Sequence, residues 1–227
     1  MAIKIMSTES IVSTGIKVLV YGAAGVGKTT LIKTLPNPII LSSEGGLLPL
    51  IDAKLPYIEV HTLAEMREAY TWLAQSEDAK QYESIALDSI SELAEVVLAE
   101  AKSQTKDPRK AYGTMQDIMI PLMRNFRDLP KHVYFSAKCE RQQDGDGQLL
   151  YSPSMPGQKL GQQLPYYFDE VLAMRVIQQD KEAAPQRLLQ CATDGAYIAK
   201  DRSGKLAMWE PADLTEIINK TIREERS

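Results

Sequence analysis

The chain has 227 residues and a formal net charge of −4, a length that suits one α/β domain able to bury a sizeable core. With 44% apolar and 25% charged residues it has a globular composition, which excludes disordered, fibrous and membrane classes. The acidic balance leaves nucleic-acid binding to be decided by local basic segments. No apolar run approaches the ~18 residues of a membrane helix, and Met1–Ser7 lacks the apolar core of a secretion signal. Cys139 and Cys191 form no C-x-x-C pair and fit a reducing setting, so the expected location is the cytoplasm, without membrane contact. Residues 1–227 read as a single domain, with 1–15 as a lead-in that adds an edge strand and 210–227 as a C-terminal helix.

Lys17–Tyr21 reads as a short buried strand, and Thr29–Leu35 as a helix ending at Pro36. Between them, Gly22-Ala23-Ala24-Gly25-Val26-Gly27-Lys28-Thr29 fits G-x-x-x-x-G-K-[ST], the phosphate-binding P-loop. Glycines let backbone N–H groups converge on phosphate oxygens, and the start of the following helix favours negative charge. Lys28 is placed to reach the β/γ-phosphates and the Thr29 hydroxyl to ligate Mg²⁺, with Thr30 completing the nucleotide-contacting run.

Pro38–Leu41 is a second strand, taken to lie beside the P-loop strand, and it ends in Ser42-Ser43-Glu44-Gly45-Gly46. Glu44 is either the carboxylate that orients attacking water or a solvated loop glutamate. A third strand fits Tyr57–Val60, and Leu63, Met66, Tyr70 and Leu73 give a helix over 63–76. Ser84–Ser89 is a short apolar strand ending in Asp88, the pattern that holds Mg²⁺ in P-loop enzymes, although an aspartate there can also be a helix cap. A helix over 89–102 follows.

Lys102–Lys110 reads as a basic, Pro-containing loop, closed by Tyr112 and Gly113. It is either a solvated connector or a set of phosphate contacts with a stacking ring. The stripe from Met115 to Leu129 predicts a helix that Pro121 should kink or split. His132–Lys138 is another core strand, with Lys138 placed to sense a γ-phosphate. Residues 139–151 read as a hairpin. Its tip, Asp144-Gly145-Asp146-Gly147, matches the D-x-x-G of GTPases by chance of turn composition. Pro153–Gln163 reads as a loop carrying Lys159. Strands are expected at 171–176, 187–191, 197–200 and 206–209, then a helix opened by Pro211.

Several P-loop classes fit these parts. A GTPase needs N-K-x-D, but Asn219-Lys220-Thr221-Ile222 lacks the aspartate and Lys106-Asp107 stands in the wrong place. A small-metabolite kinase needs an Arg-rich lid, and the one basic loop is mostly lysine.

The order of P-loop, strand with glutamate, Asp88 strand, long helix, sensor strand and late β-strands resembles the RecA-type ATPase core. Ile39–Glu44 resembles that family's second core strand, His132–Lys138 its sensor strand (where RecA has a glutamine at the position of Lys138), and Ala199–Gly204 its K-x-R element. Leu87-Asp88-Ser89-Ile90, Ala111-Tyr112-Gly113 and Pro156–Gly161 make the chain similar to phage ATP-binding proteins of the Sak-type single-strand annealing group. The resemblance implies an α/β RecA-like P-loop core, with a mainly parallel sheet flanked by helices and a β-rich C-terminal extension. It implies ATP and Mg²⁺ as cofactors, Glu44 as water activator, and Lys200 and Arg202 acting in a neighbouring subunit's site. It further implies single-stranded DNA as partner, contacted by Lys102, Lys106, Arg109, Lys110, Tyr112 and Lys159. Assembly would be head to tail, as a ring or filament, in phage recombination or annealing within the host cytoplasm, with a single-strand-binding protein as a candidate partner. A nucleotide-dependent switch without DNA affinity and a metabolite kinase stay open beside it.

Overall fold

The structure is a computed structural model and describes residues 15–143, 147–178 and 183–222. The lead-in, the hairpin tip with its D-x-x-G match, and the end of the C-terminal helix lie wholly or largely outside these residues.

Strands whose residues are apolar on both sides form the middle of the sheet, because helices cover both faces. These are β1 (Lys17–Gly22), β2 (Pro38–Ser42) and β4 (Ser84–Asp88), all buried throughout, and the first half of β5 (His132–Gln143). β7 (Glu170–Ile177) completes the parallel core, and β3 (Tyr57–Glu59) is its edge. The remaining strands are β6 (Leu149–Pro153), β8 (Gln186–Gln190), β9 (Lys200–Asp201) and β10 (Trp209–Pro211). Among the described residues they form one sheet in the order β10-β8-β7-β1-β5-β4-β2-β3, with β6 on β5 and β9 on β7. β7, β1, β5, β4, β2 and β3 run parallel, while β8, β9, β10 and β6 pair antiparallel. The mainly parallel core with a β-rich C-terminal extension is therefore as the sequence implied.

The helices are α1 (Lys28–Leu31), α2 (Leu63–Gln75), α3 (Ile90–Gln104), α4 (Pro108–Arg127), α5 (Gln158–Gln163) and α6 (Leu214–Ile222). One face of the sheet packs α2, α3 and α4 around Met66, Leu93, Met119, Phe126 and Phe135. The other packs α1 and α6 around Val20, Ile32, Tyr134, Leu172 and Ile217. Thr62 and Glu65 form a capping box on α2, the two orphan N–H groups at its start being met reciprocally. No helix among the described residues is long and apolar enough to cross a membrane. Both cysteines are free thiols.

Several expectations need correction. The strand carrying Glu44 does not neighbour the P-loop strand, because β5 and β4 lie between β1 and β2. The basic loop at 102–113 shrinks to residues 105–107: Asp107 accepts from the Arg109 N–H at 2.9 Å and Pro108 opens α4, so Arg109–Gly113 are helical. Pro121 leaves α4 whole, since the carbonyl it strands belongs to exposed Asp117 and water can bond it. The supposed loop at 153–163 contains α5, held down by buried Leu160 and Leu164. Pro211 ends β10, and α6 starts at Leu214, whose N–H donates to Thr34 Oγ1 at 2.8 Å. The helix after the P-loop is only α1 and a 3₁₀ turn to Thr34.

Candidate nucleotide site

The P-loop leaves the C-terminal end of β1, between β5 and β7. Its glycines are required by close approach. A Cβ at Gly22 would stand 2.7 Å from the Met174 carbonyl oxygen, and Gly27, at φ 114°, would meet Met174 and Arg187 side-chain atoms at 3.1–3.2 Å. Only a chain without side chains there can turn this tightly beside β7. Lys28 Nζ folds over the loop and donates to the carbonyls of Gly22 and Ala23 at 2.9 and 3.0 Å. Burial lowers its pKa, and the nearby carboxylates of Asp88 and Glu44 oppose that shift by favouring the charged form.

Asp88, 5% exposed at the end of β4, accepts from Thr29 Oγ1 at 2.7 Å and from Ser136 Oγ. Thus β4 and α1 bring together the two side chains assigned to a metal. A carboxylate and a hydroxyl are the hard oxygen donors that suit Mg²⁺, which takes one or two protein ligands and fills its octahedron with phosphate oxygens and water. Among the described residues there is no cluster of three or more His, Cys, Asp or Glu that could hold a metal ion.

Glu44 is reached through the join between β2 and β4. Ser43 N donates to Asp88 O, Ser43 Oγ donates to Ser89 O, and Ser89 N donates to Ser43 Oγ, all at 2.9–3.0 Å. Ser89 Oγ donates to Glu44 Oε1 and also caps α3 by accepting from Glu92 N. The Asp88–Ser89 peptide is cis. Glu44 is exposed and close enough for its charge to act on Lys28 and Lys138. Three strands from the P-loop strand, it still lies within electrostatic reach of Lys28.

Lys138 sits where β5 leaves the core, its N–H taken by Ser91 Oγ and its ammonium paired with Glu92. That bond raises its pKa. Lys200 and Arg202 are elsewhere. β9 pairs with the start of β7, where Glu170 lies opposite Val18, so both stand at the far end of the sheet, about 13 Å below Gly22 at 3.3 Å per residue. Lys200 Nζ donates to Pro165 O and Phe168 O at 3.2 and 2.6 Å, and Arg202 pairs with Asp169 at 2.7 Å. Neither belongs to its own chain's phosphate site.

The two segments given a DNA role do meet. Lys102 Nζ lies 5.6 Å from the centre of the Tyr112 ring, and that ring closes on Gly157, where a Cβ would be 3.2 Å from it. Lys106, Arg109, Lys110 and Lys159 are exposed around this contact.

Three site residues escaped sequence reasoning. Ser136, fully buried, aims Asp88. Tyr134 OH donates to Lys28 O at 2.8 Å. Arg187 Nε donates to Val26 O at 3.0 Å. A hydroxyl inside the apolar run His132–Ala137 was the one available signal for the first; Arg187 had none, standing 160 residues from the loop it touches.

A KaiC-like protein of the hyperthermophilic archaeon Pyrococcus horikoshii OT3 is among the solved structures similar to this one, at 13% identity and TM-score 0.43 over 77% of each chain. No curated protein matches. A family model described as AAA domain (AAA_24) matches residues 14–203, and a match over so much of its length makes this chain a member of that family, an AAA-type P-loop ATPase.

Proposed function

We infer that the protein is an Mg²⁺-dependent ATPase that binds single-stranded DNA, of the kind found in phage Sak-type annealing proteins, and works as a head-to-tail assembly. Gly22–Thr29 hold the phosphates, and Thr29 with Asp88 would hold Mg²⁺, which when bound would screen phosphate charge. Glu44 orients water, and Lys28 and Lys138 stand beside it as the cations nearest a γ-phosphate. Lys200 and Arg202, at the opposite end of the sheet from Gly22, are placed to act only on another copy. The observation that carries the DNA part is the Lys102–Tyr112–Gly157 contact, a cation-flanked ring ringed by exposed Lys106, Arg109, Lys110 and Lys159. Rings that stack bases and cations that meet phosphates are the two parts of a sequence-tolerant single-strand site.

ATP turnover measured with and without single-stranded DNA tests this. Stimulation is expected, together with DNA affinity that falls with salt at a log–log slope of roughly −3.5 for five backbone cations. Unchanged turnover and no binding at low salt would remove the DNA part.

One observation favours a second reading, a nucleotide-dependent switch that engages a protein. Leu48, Ile51 and Tyr57, exposed by 78%, 63% and 54%, rim an apolar groove of about 510 Å³ that begins at Gly45, next to Glu44. Turnover that ignores DNA supports this alternative.

A further inference from the structure

We propose that Arg187 is a positioning residue for phosphate binding: it holds the Val26–Gly27 peptide so that the Gly27 N–H faces the bound phosphates. This deepens the nucleotide reading of the P-loop and rests on it.

The geometry is local and specific. Arg187 is an exposed residue of β8, fixed by its pairing with Val176 of β7 in the antiparallel hairpin that rises beside the P-loop. Its side chain lies flat on Gly27, with Cδ and Nε each 3.2 Å from where a Cβ would be. From there Nε donates to Val26 O at 3.0 Å. The Val26–Gly27 peptide is trans, and in a trans peptide the C=O and N–H point in opposite directions. A carbonyl drawn outward to Arg187 therefore turns the Gly27 N–H inward, to the side where the loop's amides converge. The turn is tight and has its own freedom: Gly27 sits at φ 114°, Gly25 at φ 73°, and the loop's internal Val26 N–H to Ala23 O bond is long, at 3.4 Å. Without Arg187 this peptide, which turns about ψ of Val26 and φ of the permissive Gly27, can flip and present its carbonyl to the phosphates, replacing an attractive dipole by a repulsive one. The guanidinium also sets a positive charge against the outer wall of the site.

Calorimetric titration of Mg·ADP into the wild type, Lys28→Ala, Arg187→Met and Arg187→Lys tests this. Arg187→Met keeps the side-chain length and packing on Gly27 while removing the donor. It should weaken ADP binding by about 10- to 100-fold, the worth of one charge-assisted hydrogen bond, with the unliganded melting temperature close to wild type. Arg187→Lys restores the charge without the planar Nε–H and should recover only part of the loss. Amide NMR with pyrophosphate as the probe separates positioning from folding. The Gly27 N–H resonance should shift on binding in the wild type and shift little in Arg187→Met, while that of Thr29 responds in both. If the wild type binds no nucleotide, the P-loop reading and this inference fall together. If the wild type binds and Arg187→Met binds as tightly, or Arg187→Lys is fully rescued by charge alone, this inference falls and the P-loop reading stands.

Discussion

Glu170 offers a test of the fold that can be worked through to a magnitude. It opens β7, is 1% exposed, and faces Asp201 of β9 across the strand pair. Its Oε1 accepts from Ser203 N at 3.3 Å, while Oε2 has no hydrogen-bond partner among the described residues. Burial and the adjoining Asp201 charge push its pKa up to about 8. Asp201 goes the other way. Burial opposes its ionisation, but donors from Ser203, Leu206 and Gly204 at 2.6–2.9 Å hold it below the usual range. Protonation of Glu170 removes the like charge beside Asp201 and leaves the buried carboxyl neutral. Because the folded value exceeds the ordinary 4.5, the native state binds this proton more tightly than the unfolded chain. The stabilising contribution is full below about pH 4.5 and is lost as pH rises through about 8. At about 1.4 kcal/mol per pH unit the ceiling is about 5 kcal/mol. The adjoining open pocket, lined by Asp169, Arg202 and Thr221 among others, screens the site, and about 2 kcal/mol is the expected loss. Chemical denaturation from about pH 5 to about pH 9 should show this loss in the wild type and a flatter curve for Glu170→Gln, which carries a permanent donor. Parallel curves for the two proteins would refute the raised Glu170 pKa.

Three predictions concern the site. Lys28→Ala should abolish measurable ATP binding by equilibrium dialysis, since the ammonium is the main charge inside the loop; retained affinity would sink the phosphate assignment. Ser136→Ala removes the donor that fixes Asp88 and should raise the Mg²⁺ concentration for half-maximal turnover about 10-fold, with the melting temperature lowered only by the loss of one hydrogen bond. An unchanged Mg²⁺ requirement would show that Asp88 is not a ligand. Arg202→Ala should lower turnover by ~10³-fold if it completes a neighbour's site, and mixing it with Lys28→Ala protein should restore activity in the mixed assembly. Normal turnover of Arg202→Ala alone would leave Arg202 with its in-chain role against Asp169.

Local chemistry was legible before any coordinates. The P-loop and the Asp88 strand are each runs of adjacent residues, so each motif could be read from its own spacing, while the 2.7 Å contact between Thr29 and Asp88 is made by the fold. Helix ends were harder. Asp107 and Pro108 form a capping pair that makes the end of this basic stretch the first turn of α4, where composition reads only a loop.

The sequence determined the P-loop, because it is one short segment whose backbone and side chains are encoded in order. The tertiary structure decided the rest, because strand order is set by crossovers that the sequence does not spell out. It put β5 and β4 between β1 and β2, so that Ser136 and Asp88 stand between the loop and Glu44. It carried Lys200 and Arg202 to the other end of β7, and it laid Arg187 on Gly27 from a hairpin far along the chain. Contacts between residues distant in sequence depend on the packing of the whole sheet, and only the folded chain contains that information.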